Sequence, residues 1–138
     1  MDIGSMLNLF GIGFIALGLV FRFGPKKDWY WKLKNGAYGY IPLGIMLLIN
    51  ANLEKLFPNL PENVDTFILL GFLAIIVLLS RNAPDFLKPE WARWIEAQPM
   101  EIQEKMREAA LADPNWTRHV ASPEAVEKWA DSLKNKRK

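Results

Sequence analysis

Residues 3–21, IGSMLNLFGIGFIALGLVF, carry no ionisable side chain and are long enough to cross a bilayer as a helix. Two more apolar stretches follow within the first 80 residues, one around 36–53 and one over 64–80 with a single acid, Asp65, at its entrance. A mean hydropathy of +0.01 hides this division, because the polar last third cancels the apolar first part. The pattern predicts an all-α protein. Three transmembrane helices, at about 3–23, 36–56 and 63–80, form a membrane domain over 1–81. A tail of about three short amphipathic helices follows over 82–138.

The flanking charges set an expected orientation. Arg22, Lys26, Lys27, Lys32 and Lys34 lie between the first two stretches, only Lys55 between the next two, and Arg81, Lys88 and Arg93 after the third. Lys and Arg are retained on the cytoplasmic side, so the first loop and the tail are expected inside and the N-terminus outside. The membrane expected is a bacterial cytoplasmic (inner) membrane. Cleavage of the first stretch as a signal peptide is disfavoured, since Asp2 is the only early charge and the basic residues follow the apolar run.

In that first loop, Lys26, Lys27, Trp29, Tyr30, Trp31, Lys32 and Lys34 mix ammonium groups with three adjacent rings. Such rings favour the headgroup region and lysines attract anionic lipid, so the segment reads as a membrane-interface anchor. Specific recognition of a lipid or partner is the sharper alternative. Along the first helix, Gly4, Gly11 and Gly18 recur every seven residues, and Asn8 shares their stripe. Small residues admit a second backbone and an asparagine amide can bond across the contact. The stripe is therefore a packing seam, against the other spans or against another chain. Gly39, Pro42 and Gly44 permit a kink in the second span, and Asn63 or Asp65 is a candidate cap for the third.

Absences limit the chemistry. No Asp, Glu, Lys, Arg or His stands in the middle of a span, which argues against ion-coupled carriers and voltage sensors. There is no cysteine, one histidine (His119), and no phosphate loop, HExxH or GxSxG. No catalytic, cofactor or metal residue is assigned, and the chain is expected not to be an enzyme.

The tail carries Pro89, Pro99 and Pro123 at three expected helix starts, giving helices near 89–97, 99–112 and 123–134. Trp91, Trp94, Ile95, Trp116 and Trp129 lie on their apolar faces. These side chains either form the tail's own core or dock a cytoplasmic protein. The basic tip over 134–138 reads as a solvated end, and the balanced charge of the rest gives no reason to expect nucleic acid. The expected role is an accessory or scaffold subunit that packs into a larger membrane assembly, with lipid, other membrane subunits or itself, and a cytoplasmic protein as partners. A self-oligomerising, membrane-permeabilising protein, holin-like or a defence effector, is the alternative. A sensor with a ligand-binding tail comes third.

Overall fold

A computed structural model describes residues 1–24, 27–61 and 63–136, with the backbone alone at Lys34 and Asn35. The described residues are all-helical: eight α-helices and three 3-10 segments, with no strand. In chain order the helices are α1 (Ile3–Phe23), α2 (Asp28–Leu33), α3 (Tyr40–Ala51), α4 (Leu53–Leu56), α5 (Val64–Arg81), α6 (Glu90–Glu96), α7 (Met100–Ala112) and α8 (Pro123–Asn135). The 3-10 segments are Lys34–Gly39, Asp85–Leu87 and Trp116–Val120.

Two helices, α1 and α5, are long and apolar enough to span a membrane. At 1.5 Å per residue they measure about 31 and 27 Å, close to the hydrocarbon thickness of roughly 30 Å. The second expected span, 36–56, is not one helix. It is divided into a 3-10 approach, the 12-residue α3 and, after Asn52, the single turn of α4. Its apolar helical part, Gly36–Ala51, falls short of the spanning length that α1 and α5 reach.

Asp2 starts α1, its carboxylate accepting from the Ser5 amide at 2.6 Å. The kink expected around Gly39, Pro42 and Gly44 has another explanation. Pro42 sits in the first turn of α3, where a missing N–H breaks no helical bond. Gly44 faces α1 instead of bending its own helix. Asn63 does stand at the N-cap position of α5, with a left-handed φ of 76°, but makes no capping bond. The neighbouring Asp65 accepts from the Thr66 amide at 2.7 Å.

α1 and α3 lie antiparallel along their length. Phe21 meets Tyr38 near one end, with ring centroids 5.6 Å apart, and Gly4 approaches the Ala51 carbonyl near the other. α5 packs mainly on the 3-10 segment Lys34–Gly39 and on α3, and not one of its residues is buried. The C-terminal helices fold over the end where α1 finishes, α3 begins and α5 finishes. There a single buried core takes Phe21, Tyr30, Trp31, Ala37 and Tyr38 from the first 40 residues and joins them to Trp91, Ile95, Met106, Trp116, Val126 and Trp129. The sequence boundary at 81/82 therefore does not divide the core.

The three C-terminal helices begin within one residue of their expected positions. Pro89 and Pro99 act as N-cap residues of α6 and α7, and Ser122 Oγ accepts from the Ala125 amide at 3.1 Å to open α8. The ion pairs within each helix are largely exposed, Glu101–Lys105 at 3.1 Å being typical, and such pairs contribute about 0–1 kcal/mol each. Burying one indole of roughly 200 Å² contributes about 5 kcal/mol. Aromatic burial, not surface charge, holds this segment together.

Candidate functional site

The glycine seam is occupied inside the chain. A methyl placed at Gly11 would lie 2.9 Å from the Gly44 carbonyl oxygen, and one placed at Gly44 would lie 2.5 Å from the Gly11 carbonyl oxygen. Each glycine is what lets the other's backbone approach. Gly18 faces the backbone and side chain of Ile41 as closely, while Gly4 meets Ala51 more loosely, at 3.7 Å. Asn8 completes the stripe: its Oδ1 accepts from Asn52 Nδ2 at 2.8 Å, and the same amide donates to the Leu48 carbonyl at 2.9 Å. All four predicted seam residues thus face the α3 side. Their partners, Gly44 and Asn52, carry no signal in the sequence, which gives no register between two apolar runs.

The aromatic loop is turned the other way from its expected role. Tyr30 and Trp31 are 8% and 6% exposed, so they belong to the protein core rather than to a headgroup layer. The reason is the tail above them. Tyr30 meets Trp91 edge-on at 5.2 Å, Trp31 meets Trp116 at 5.6 Å, and Trp116 stacks on Trp129 at 6.4 Å. Trp29 is half-buried against Tyr40. Lys32 is exposed, and Lys27 Nζ lies 5.9 Å from the Trp91 ring centroid. Lys26 and the Lys34 side chain lie outside the described residues.

The same contacts account for the residues expected to dock a partner. Trp91, Ile95, Trp116 and Trp129 are buried, and Trp94 packs against their cluster. What they dock is the chain's own first loop. Polar bonds fix the junction: the Trp116 indole Nε1 donates to Asp28 Oδ1 at 2.7 Å across 88 residues. Glu96 takes three donors, Lys88 Nζ at 2.6 Å, Tyr38 Oη at 3.1 Å and Tyr30 Oη at a longer 3.5 Å. Burial, and then the Glu96 charge, push the Tyr30 phenol well above its ordinary pKa, so it stays a donor. Glu96 and Asp28 had no sequence signal beyond being acids in a mixed-charge segment.

A cleft of about 420 Å³ opens between α7, the Trp116–Val120 segment and α8, lined by Asp113, Arg118, His119, Trp129 and Ser132 among others. The His119 ring lies flat on Trp129, centroids 5.0 Å apart. Burial first and then the Arg118 charge lower its pKa, against a smaller opposing effect of Asp113, and favour the neutral imidazole. Arg118 is already paired with Asp113 at 3.5 Å. Among the described residues there is no group of three or more His, Cys, Asp or Glu side chains placed to hold a metal ion.

Chemically, then, the most developed site is a junction that locks the C-terminal helical cap onto the ends of three apolar helices. No protein-family model, curated protein or solved structure matches this chain.

Proposed function

We propose that the chain is a three-pass protein of a bacterial cytoplasmic membrane, N-terminus outside and C-terminus inside, serving as a non-catalytic accessory or scaffold subunit of a larger membrane assembly. The observation that carries this reading is α5. It is an 18-residue apolar helix with no buried residue, which is not how the core helix of a soluble protein behaves. Lipid or another membrane subunit is the cover such a helix needs. The short α3 is supported as the middle pass by its company. With its 3-10 approach it runs beside α1 from Phe21 to Gly4, so its polar ends fall at the levels where those of α1 fall.

This role differs from the expected one in which surfaces meet partners. The seam Gly4, Asn8, Gly11, Gly18 and the indoles Trp91, Trp116 and Trp129 are engaged within the chain. The faces left for other subunits are the outer side of α5, where Gly71 has no neighbour within 4 Å, and the outer side of α1 around Gly13, which is equally open. The cap presents mixed charge to the cytoplasm, and its exposed Met100 and Leu111 are the apolar side chains on which a cytoplasmic protein could settle.

The test is the mass and composition of the complex extracted gently from its native membrane. Other proteins recovered at a fixed ratio support the accessory role. A ring or ladder of this chain alone overturns it in favour of the permeabilising, self-oligomerising alternative, which the bare Gly71 face also accommodates. A Gly71→Cys variant, in a chain with no other cysteine, then reports whether two α5 helices meet.

A further inference from the structure

Among the described residues, the ion pairs all lie in the C-terminal segment: Lys88, Arg93, Lys105, Arg107, Arg118 and Lys134 each meet a carboxylate there, at 2.6 to 3.8 Å. The cations beside the apolar helices behave differently. Arg22, Lys27, Lys32 and Arg81 enter none of these pairs, and the one acid of their loop, Asp28, is turned to the Trp116 indole.

Two of these cations, Arg22 and Arg81, share a level. Phe21, next to Arg22, packs on Tyr38. Ser80, next to Arg81, lies so close to Gly39 that a methyl there would come within 2.6 Å of its Oγ. Since Tyr38 and Gly39 are consecutive, the last turns of α1 and α5 end at one height. The cap comes down to that height too. Arg22 Nε donates to the Phe86 carbonyl at 3.2 Å, which holds the Phe86 ring, 73% exposed, beside the end of α1. There Phe23 is also exposed, with the Arg22 guanidinium 4.8 Å from its ring centroid. Bare rings and unpaired cations at one level suit a single kind of surface, in which phosphates lie just outside hydrocarbon.

We propose that this collar binds anionic phospholipid headgroups: Arg22 and Arg81 take the phosphates, while Phe23 and Phe86 enter the acyl boundary beside them. The cap is thereby seated on the inner leaflet as well as on the first loop. The inference rests on the membrane reading above. It replaces the aromatic anchor Tyr30–Trp31 with a collar that borrows one ring, Phe86, from the C-terminal segment.

The experiment uses the full chain in mild detergent, titrated with phosphatidylglycerol or with phosphatidylcholine of the same acyl chains while thermal unfolding is followed. Phosphatidylglycerol is expected to raise Tm at concentrations at least tenfold lower. Arg81→Gln leaves the Arg22–Phe86 bond in place, so it is expected to keep the lipid-free Tm and to weaken that preference. Equal shifts with both lipids, or an Arg81→Gln variant that keeps the preference in full, overturn the proposal. Phe86→Cys carrying an environment-sensitive dye, in vesicles containing one quarter phosphatidylglycerol, should be quenched by spin-labelled lipid and shielded from iodide, whereas Glu104→Cys should show the reverse. Equal iodide access at both positions removes Phe86 from the collar. Alkaline carbonate extraction separates the two readings. A chain that resists extraction yet shows no lipid preference defeats the collar alone, and a chain that is extracted defeats the membrane assignment.

Discussion

Gly11 and Gly44 show how much one hydrogen atom decides in a tight helix contact. Gly11→Ala would place a methyl 2.9 Å from a carbonyl oxygen, and the helices cannot separate without loosening the Asn8–Asn52 bond. A loss of about 1–3 kcal/mol is expected. Gly13→Ala, two residues away with nothing within 4 Å, should leave stability unchanged or slightly raised through better helix propensity. Thermal unfolding of the two variants in the same detergent decides the point, and equal effects would refute the seam. His119 gives a pH signature. Its pKa is lowered in the folded state, so its contribution is fully present above the ordinary value of 6.5 and is lost as pH falls through the lowered one. The cap should therefore melt at a lower temperature at pH 5 than at pH 7.5, and His119→Gln should flatten that dependence within the window. A wild-type profile flat from pH 7.5 to 5 would count against this account. Such local effects were beyond the sequence, which showed one histidine and no neighbour.

Elements differ in how far they depend on partners distant in the chain. α8 is written locally, with Ser122 as its cap, Pro123 in its first turn and Val126, Trp129 and Leu133 on one face. The 3-10 segments and α2 have no such local signature, and they are held by what folds over them. The C-terminal segment in turn needs them, because Trp91 and Trp116 pack on Tyr30 and Trp31, and the Trp116 N–H needs Asp28. A fragment of 82–138 is accordingly expected to show helical circular dichroism but no cooperative thermal transition. The same fragment melting sharply at the temperature of the full chain's cap would show that the first loop contributes nothing.

Across the whole molecule, α1 and α5 end and α3 begins at one level, and Arg22 and Arg81 lie there. The opposite end carries Asp2, Glu54, Asp65 and a lone described lysine, Lys55. Positive charge resists translocation, so the capped end is the cytoplasmic one in the proposed topology. The cysteine-free chain allows a direct check with a membrane-impermeant maleimide. Asn59→Cys should react in intact cells and Glu127→Cys only after lysis, and the opposite result would invert the proposed orientation. The second stretch is not the single helix expected over 36–56, because apolar composition reports solubility in lipid, not helical continuity. Asn52 and the 3-10 approach interrupt it where contacts with α1 and α5 set the backbone.

The sequence by itself determined that the chain is all-helical, which segments are apolar enough to leave water, where the charges lie and where α6, α7 and α8 start. These are sums over neighbouring residues, and periodicity, proline placement and hydropathy record them directly. Tertiary structure alone decided that the glycine stripe closes on Gly44 and Ile41, that Tyr30 and Trp31 turn inward, and that the expected docking indoles are spent on the chain's own loop. Those outcomes depend on contacts between residues 23 to 88 positions apart, and a tryptophan's composition is the same whether it meets lipid, a partner or another tryptophan of its own chain.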